Sequence, residues 1–134
     1  MQPMTAQDYL DFAARYIGAV QAGDMDAVRA CYAPDAKLWH NTDGIEQTVE
    51  ENMKLLAWMI RMIPERNYRL VRREALADGF VQQHVLEANL PNGGGPWTMD
   101  ACAVVRVKDG VIVRLDEYID SAQFKILLDA RRKP

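Results

Sequence analysis

The chain has only two histidines, His40 and His84, and histidine is the side chain that exchanges its proton near neutral pH. His40 closes the short apolar run "KLWH", and the turn "NTDG" follows at once. In an extended run, side chains alternate between faces, so Leu38 and His40 share one side and Trp39 takes the other. If Leu38 packs inward, so does His40. An inward imidazole is either a hydrogen-bonded core residue or a base at the edge of a pocket. His84 lies in "QHVLEA". There Gln82, His84 and Leu86 share one face and Val81, Gln83 and Val85 the other. Neither face is cleanly apolar, so His84 is read as structural.

A carboxylate stands out in the last hairpin. A three-residue connection, Lys108-Asp109-Gly110, pairs Val107 with Val111, Val105 with Val113, Ala103 with Leu115 and Ala101 with Glu117. It gathers the apolar residues on one face and leaves Arg106, Arg114, Asp116 and Tyr118 on the other. A two-residue turn would set Val105 and Ala103 against Arg114 and Asp116, mixing the faces, so the first register is expected. Glu117 then stands in the inward row between Leu115 and Ile119, opposite a small alanine. A carboxylate in such surroundings is costly unless paired or protonated. Either it has a function or the strand frays and lets it reach water. Asp120, by contrast, opens "DSAQ" as a helix N-cap with Gln123 at the third position, which explains it without function.

The elements that must position these groups follow from periodicity. "TAQD" at Thr5–Asp8 is a capping-box start, and Tyr9, Leu10, Phe12, Ala13, Tyr16, Ile17 and Val20 recur at helical spacing behind it. "AGD" breaks that helix. Asp24 caps a second one running through Val28, Cys31 and Tyr32, which "APDA" closes. After the brief "KLWH" strand, a third helix is expected from Ile45 to Ile63, stopped by Pro64. Four strand-like runs follow, "YRLVRREAL", "FVQQHVLEANL", "WTMDACAVVRV" and "VIVRLDEYI", joined by "ADG", "PNGGGP" and "KDG". "SAQFKILLDARR" ends the chain as a helix. Helices first and an antiparallel meander afterwards make an α+β fold, expected as one domain over residues 1–134, with a curved sheet whose concave face is roofed by helices around a pocket.

Composition narrows the partners. About half of the 134 residues are apolar, a quarter are charged and the net charge is −3, a globular balance that disfavours a nucleic-acid surface. The one basic run, "ARRKP", sits where a last helical turn favours cations. No apolar run reaches the roughly 20 residues of a membrane helix, and "MQPMTAQDYL" has neither a basic start nor an apolar signal core, so secretion is not expected. Cys31 and Cys102 fall among small apolar residues and read as buried free thiols, so a cytoplasmic location is expected. No Cys/His spacing suits a metal such as zinc, and the glycine run lacks the Lys-Ser/Thr of a phosphate loop, so no cofactor is expected.

The segment "ARYIGAVQAGDMDAVRACYAPDAKLWH" and the ending "VVRVKDGVIVRLDEYID" resemble the SnoaL-like and ketosteroid isomerase-like group of the NTF2-like superfamily. The order of elements matches over essentially the whole chain. The resemblance implies a cone-shaped α+β fold with a deep apolar pocket, commonly a homodimer through the outer sheet face. Carried over position by position, the group's pocket tyrosine falls on Tyr16 and its aspartate base on His40. Its protonated aspartate falls on Ala103, and a second tyrosine falls near Asn52. The pairing of an aspartate base with a tyrosine and a protonated aspartate is the established description of ketosteroid isomerase. The loss of the acid at Ala103 and the imidazole at position 40 argue against steroid isomerisation itself.

The expected ligand is a small apolar molecule with one or two oxygens. His40 would be its base, Tyr16 the donor to its oxygen and Glu117 the partner of the imidazole. Asn52 and Asn41 would orient its polar groups, while Leu56, Ala103, Val105, Leu115 and Ile119 would form the wall. Isomerase, cyclase, dehydratase and hydrolase chemistry all fit such a vessel. A pocket that only binds a ligand, or a dimerisation module, is the alternative.

Overall fold

The computed structural model describes residues 3–131. The terminal residue pair Met1-Gln2, the end of the last expected helix and most of the basic run lie outside them. Helices α1 (Ala6–Ala22) and α2 (Met25–Ala30) come first, then strands β1 (Tyr32–His40) and β2 (Glu46–Gln47) and helix α3 (Val49–Met62). Strands β3 (Asn67–Leu76), β4 (Gly79–Leu90), β5 (Gly95–Lys108) and β6 (Val111–Ile119) follow, and α4 (Ser121–Ala130) closes the order.

Local chemistry sets these boundaries. The Thr5 hydroxyl accepts from the Asp8 amide while the Asp8 carboxylate accepts from the Thr5 amide, so α1 begins with a complete capping box. It ends on Gly23, whose φ of 70° suits a residue without a Cβ. Asp24 caps α2 through the Ala27 amide. The second helix is shorter than expected and the first strand longer, because Tyr32 and the following "APDA" already belong to β1. The third helix starts at Val49 instead of Ile45. Thr48 and Glu51 make a second capping box there, which outcompetes the apolar Ile45 as a start signal, and Glu46–Gln47 pair with β1 as a short edge strand. Asp120 caps α4 by accepting from the Gln123 amide, as expected.

The six strands form one unclosed sheet in the order β2-β1-β6-β5-β4-β3. β1 and β6 run parallel, and every other neighbouring pair is antiparallel. Phe12, Tyr16 and Val20 of α1 and Met53 and Leu56 of α3 pack with Leu38, Phe80, Val105 and Leu115 in one buried core. A second cluster under α4 joins Leu127 to Met59, Ile63, Leu86, Trp97 and Met99. Each large side chain buried this way contributes about 1.5–3 kcal/mol, so both helical layers are held to the sheet chiefly by apolar area.

The last hairpin adopts neither register considered from the sequence. Asp109 and Gly110, with φ of 52° and 80°, make a two-residue turn in which Lys108 pairs with Val111. Val107 then pairs with Ile112 and Arg106 with Arg114, so Val113 is an extra residue, a bulge. The bulge reconciles the tight turn with the apolar face. Before it Ile112 points inward, after it Leu115, and both are buried. Downstream, Val105 faces Leu115, Ala103 faces Glu117 and Ala101 faces Ile119. Glu117 therefore does stand inward opposite an alanine, but the alanine is Ala103. The two cysteines are free and half-buried instead of fully buried. No helix among the described residues is long and apolar enough to cross a membrane.

Candidate functional site

One line of paired residues crosses the sheet and carries most of its inward-facing polar chemistry. His40 on β1 pairs with Glu117 on β6, Glu117 with Ala103 on β5, Ala103 with Gln82 on β4, and Gln82 with Arg73 on β3. The next line in one direction is wholly apolar: Leu38, Leu115, Val105, Phe80 and Ala75. The next in the other direction holds Ile119, Ala101, His84 and Leu70. Because side chains recur on one face every second residue, these lines stack into a single wall.

Against that wall lies a cavity of about 190 Å³, lined among others by Tyr16, Tyr32, His40, Gln82, His84 and Glu117. For scale, an apolar protein cavity of about 150 Å³ holds benzene. Of the residues expected at the site, Asn52, Leu56, Ala103, Val105, Leu115 and Ile119 also line it. The Asn52 amide donates to Gln47 Oε1 at 3.3 Å. Asn41 is placed differently. Its side chain is exposed and clasps the end of β6, donating to the Ile119 carbonyl at 3.0 Å and accepting from the Ile119 amide at 2.9 Å. A residue just past a strand end satisfies unpaired backbone groups more readily than it turns back into a pocket, so Asn41 ties β1 to β6 and does not line the cavity.

His40 Nε2 lies 3.2 Å from Glu117 Oε1. Burial works to lower the His40 pKa, but the hydrogen bond and charge of Glu117, with Asp43 beyond, outweigh it and raise it. Burial likewise works to raise that of Glu117, and the hydrogen bond and charge of His40, aided by His84, bring it below the usual carboxylate value. The pair is thus an ion pair when His40 is protonated. His40 Nδ1 is buried and has no hydrogen-bond partner among the described residues. An unpaired buried polar atom costs about 1–3 kcal/mol, so this atom is poised to gain from a ligand.

Also in the lining, the Tyr16 and Tyr32 hydroxyls are hydrogen-bonded at 2.5 Å. Burial raises both pKa values; Tyr32 raises that of Tyr16 further, while the hydrogen bond with Tyr16 partly offsets the rise on Tyr32. Both phenols stay protonated at any ordinary pH. Two hydroxyls carry two protons and spend one between them, which leaves one to donate. Tyr68, pushed up to about 12 chiefly by burial, adds a third neutral phenol.

The sequence reading passed over His84. It is buried, packs edge-on against Tyr68 and lies 3.9 Å from Glu117 Oε2. Burial lowers its pKa, against the pull of Glu117 and with the help of Arg73, so it is neutral where His40 is charged. The signal was available in the wider run. Phe80 and Leu86 flank Gln82 and His84 at period two, and all four are buried. A face with apolar ends and a polar middle belongs to a pocket wall.

Ala103 sits in the middle of the polar line and leaves the space open. Replacing Ala103 with Leu should fill that space at little cost to folding, because the added carbons enter a void. Toluene binding, followed by ligand-observed NMR, is expected to weaken about tenfold or more, the loss of one buried side chain's worth of apolar contact. Unchanged toluene affinity would place the ligand elsewhere.

Comparison with known proteins agrees with this architecture. AclR from Streptomyces galilaeus, a candidate hydroxylase, superposes with a TM-score of 0.82 at 14% identity, over 97% of this chain and 89% of that one. IdmH from Streptomyces antibioticus, a candidate polyketide cyclase, gives 0.78 at 20% identity, over 89% and 96%. An NTF2-like protein of unknown function from Burkholderia pseudomallei gives 0.75 at 17% identity, over 89% and 95%. No curated protein matches the chain in sequence. At such identities these likenesses speak to the NTF2-like fold alone. A family model described as the SnoaL-like domain matches residues 13–115, which is most of the chain, and the protein belongs to that family.

Proposed function

We propose that the protein is an enzyme that works by acid–base chemistry, without a cofactor, on a small and mainly apolar molecule bearing oxygen. The observation that carries this reading is the His40–Glu117 pair set in the wall of a cavity that is also lined by Leu56, Phe80, Val105 and Leu115. Perturbed titratable groups in a concave site are where proton transfer is arranged. With Nε2–H held by Glu117, neutral His40 keeps its lone pair on Nδ1, and that atom takes a proton from carbon next to a carbonyl or from a water. Glu117 balances the imidazolium that forms. The spare proton of the Tyr16–Tyr32 pair is donated to the oxygen that gains charge. Hydroxylase and cyclase descriptions attached to AclR and IdmH are compatible with such a vessel and do not select among isomerase, cyclase, dehydratase and hydrolase steps.

The outer sheet face supports a homodimer in the same proposal. Trp39 stacks edge-on against the exposed Tyr118, and Val81, Val85 and Val104 remain half-buried on that side without a covering layer among the described residues.

A panel of small ketones and epoxides, assayed with the wild type and with His40→Ala, tests the enzyme reading. Turnover by the wild type that His40→Ala loses is the expected result. Equal turnover by both proteins would overturn the role of His40.

A further inference from the structure

Arg73 Nε donates to Gln82 Oε1 at 2.8 Å. An amide whose oxygen is claimed this way must turn its NH2 the other way, and Gln82 Nε2 indeed lies 3.1 Å from His84 Nδ1. An NH2 group only donates, so His84 Nδ1 must accept, and the proton of the neutral ring is left on Nε2. That N–H faces Glu117 Oε2 across 3.9 Å, which is beyond hydrogen-bond reach. Gln82 is fully buried and His84 nearly so, so bulk solvent does not compete for either and only the cavity they line offers another partner. A donor and an ionised acceptor thus stand in the cavity wall with a gap between them. One oxygen at about 2.8 Å from each atom closes that gap with an angle near 90°.

From this geometry we infer that the His84–Glu117 gap is a hydroxyl subsite, in which one O–H group accepts from His84 Nε2 and donates to Glu117 Oε2, with Arg73 and Gln82 acting as positioning residues that lock the His84 tautomer. The inference rests on the reading of the cavity as a small-molecule site, not on turnover by His40. A carbonyl, ether or methyl group cannot both accept and donate there. The subsite therefore selects alcohols, phenols or enols of the ligand, or a single water in their place.

Titration with cyclohexanol and with methylcyclohexane, which match in shape, tests the subsite on the intact protein. Two hydrogen bonds, one of them to a charged group, should favour cyclohexanol by about tenfold. Long-range 1H–15N spectra of the imidazoles give an independent readout, in which wild-type His84 is expected as the neutral Nε2–H tautomer. In Gln82→Glu a carboxylate faces Nδ1, so the proton moves there or the ring becomes charged, and the alcohol preference falls toward unity. If Gln82→Glu fails to fold, Arg73→Met on the edge strand frees the amide to rotate, and mixed tautomers with a weakened preference are expected. A hydroxyl resonance of bound cyclohexanol coupled to His84 assigns the oxygen to the ligand. Equal affinity for the two probes, with an ordered water at the gap in both complexes, overturns selection of a ligand hydroxyl. A wild-type His84 protonated on Nδ1 overturns the lock. Loss of catalysis in His40→Ala with the alcohol preference intact separates this subsite from the proposed reaction.

Discussion

Glu117→Gln is expected to lower turnover of any substrate found for the cavity by about a thousandfold, within the range that positioned acid–base groups contribute. Glutamine keeps the size of the side chain and can still accept from His40 Nε2, but it carries no charge to balance an imidazolium. The pH profile should move as well. The raised pKa of His40 is owed to the hydrogen bond and charge of Glu117, which overcome the opposing effect of burial. With the charge gone, burial prevails and the pKa falls. Activity that needs neutral His40 rises as pH climbs through that pKa, so the rise in the variant lies at lower pH than in the wild type. A variant with wild-type rate and an unmoved profile would remove Glu117 from the mechanism.

The same substitution has a signature in stability. Glu117 has a depressed pKa in the folded state, so its contribution is present above the unfolded carboxylate value and is lost as pH falls through the folded one. His40 has a raised pKa, so its contribution is complete below the unfolded imidazole value and is lost as pH rises through the folded one. The ion pair is therefore fully felt between about pH 4.3 and 6.5. Urea denaturation of wild type and Glu117→Gln should differ most in that window and converge above it.

Arg66→Met is expected to cost the fold about 3–4 kcal/mol, a fall of about 10 °C in Tm for a chain of this length. Arg66 is buried and its guanidinium serves backbone. Nη2 donates to the Val20 carbonyl at 2.9 Å and the Gln21 carbonyl at 3.1 Å, and Nη1 to the Pro64 carbonyl at 3.4 Å. The first two belong to the last turn of α1, where a cation is favoured, and Arg66 shares the Val20 carbonyl with the Gly23 amide. Gln21 completes the seam by donating to the Arg66 carbonyl and accepting from the Tyr68 amide. Methionine replaces the stem and abandons the carbonyls, so the penalty is that of buried unpaired acceptors. Arg66→Lys should recover part of it, since an ammonium has donors but no fork. A Tm within about 2 °C of wild type for Arg66→Met would show that water serves those carbonyls equally well.

Much of this architecture was legible in the residues. Capping signals at Thr5, Asp24 and Asp120 placed three helix starts, and alternation in "KLWH" turned His40 inward with Leu38. Glu117 was found because a carboxylate interrupted an apolar row. Its partner alanine was misplaced because a bulge leaves no mark in "VIV", where each residue is apolar and any of the three can turn inward. The Ile45 start failed because "IEQT" contains an apolar residue ahead of the true cap. His84 was missed for a different reason. The tautomer proposed for it depends on Arg73 and Gln82 across a strand pair, and a hydrogen bond that decides which ring nitrogen holds the proton is a property of three residues at once.

The parallel pairing of β1 with β6 has a consequence for how such a protein can change. His40 and Glu117 both stand at the forward ends of their strands, and the segments that leave them depart from one rim, clasped together by Asn41. Thr42 and Asp43, just beyond, also line the cavity. On the proposed reading, proton handling is thus written in strands whose register is hard to alter, while part of the cavity lining is written in a loop that tolerates replacement. Lineages that keep the first and rewrite the second would inherit a reaction and acquire new clients.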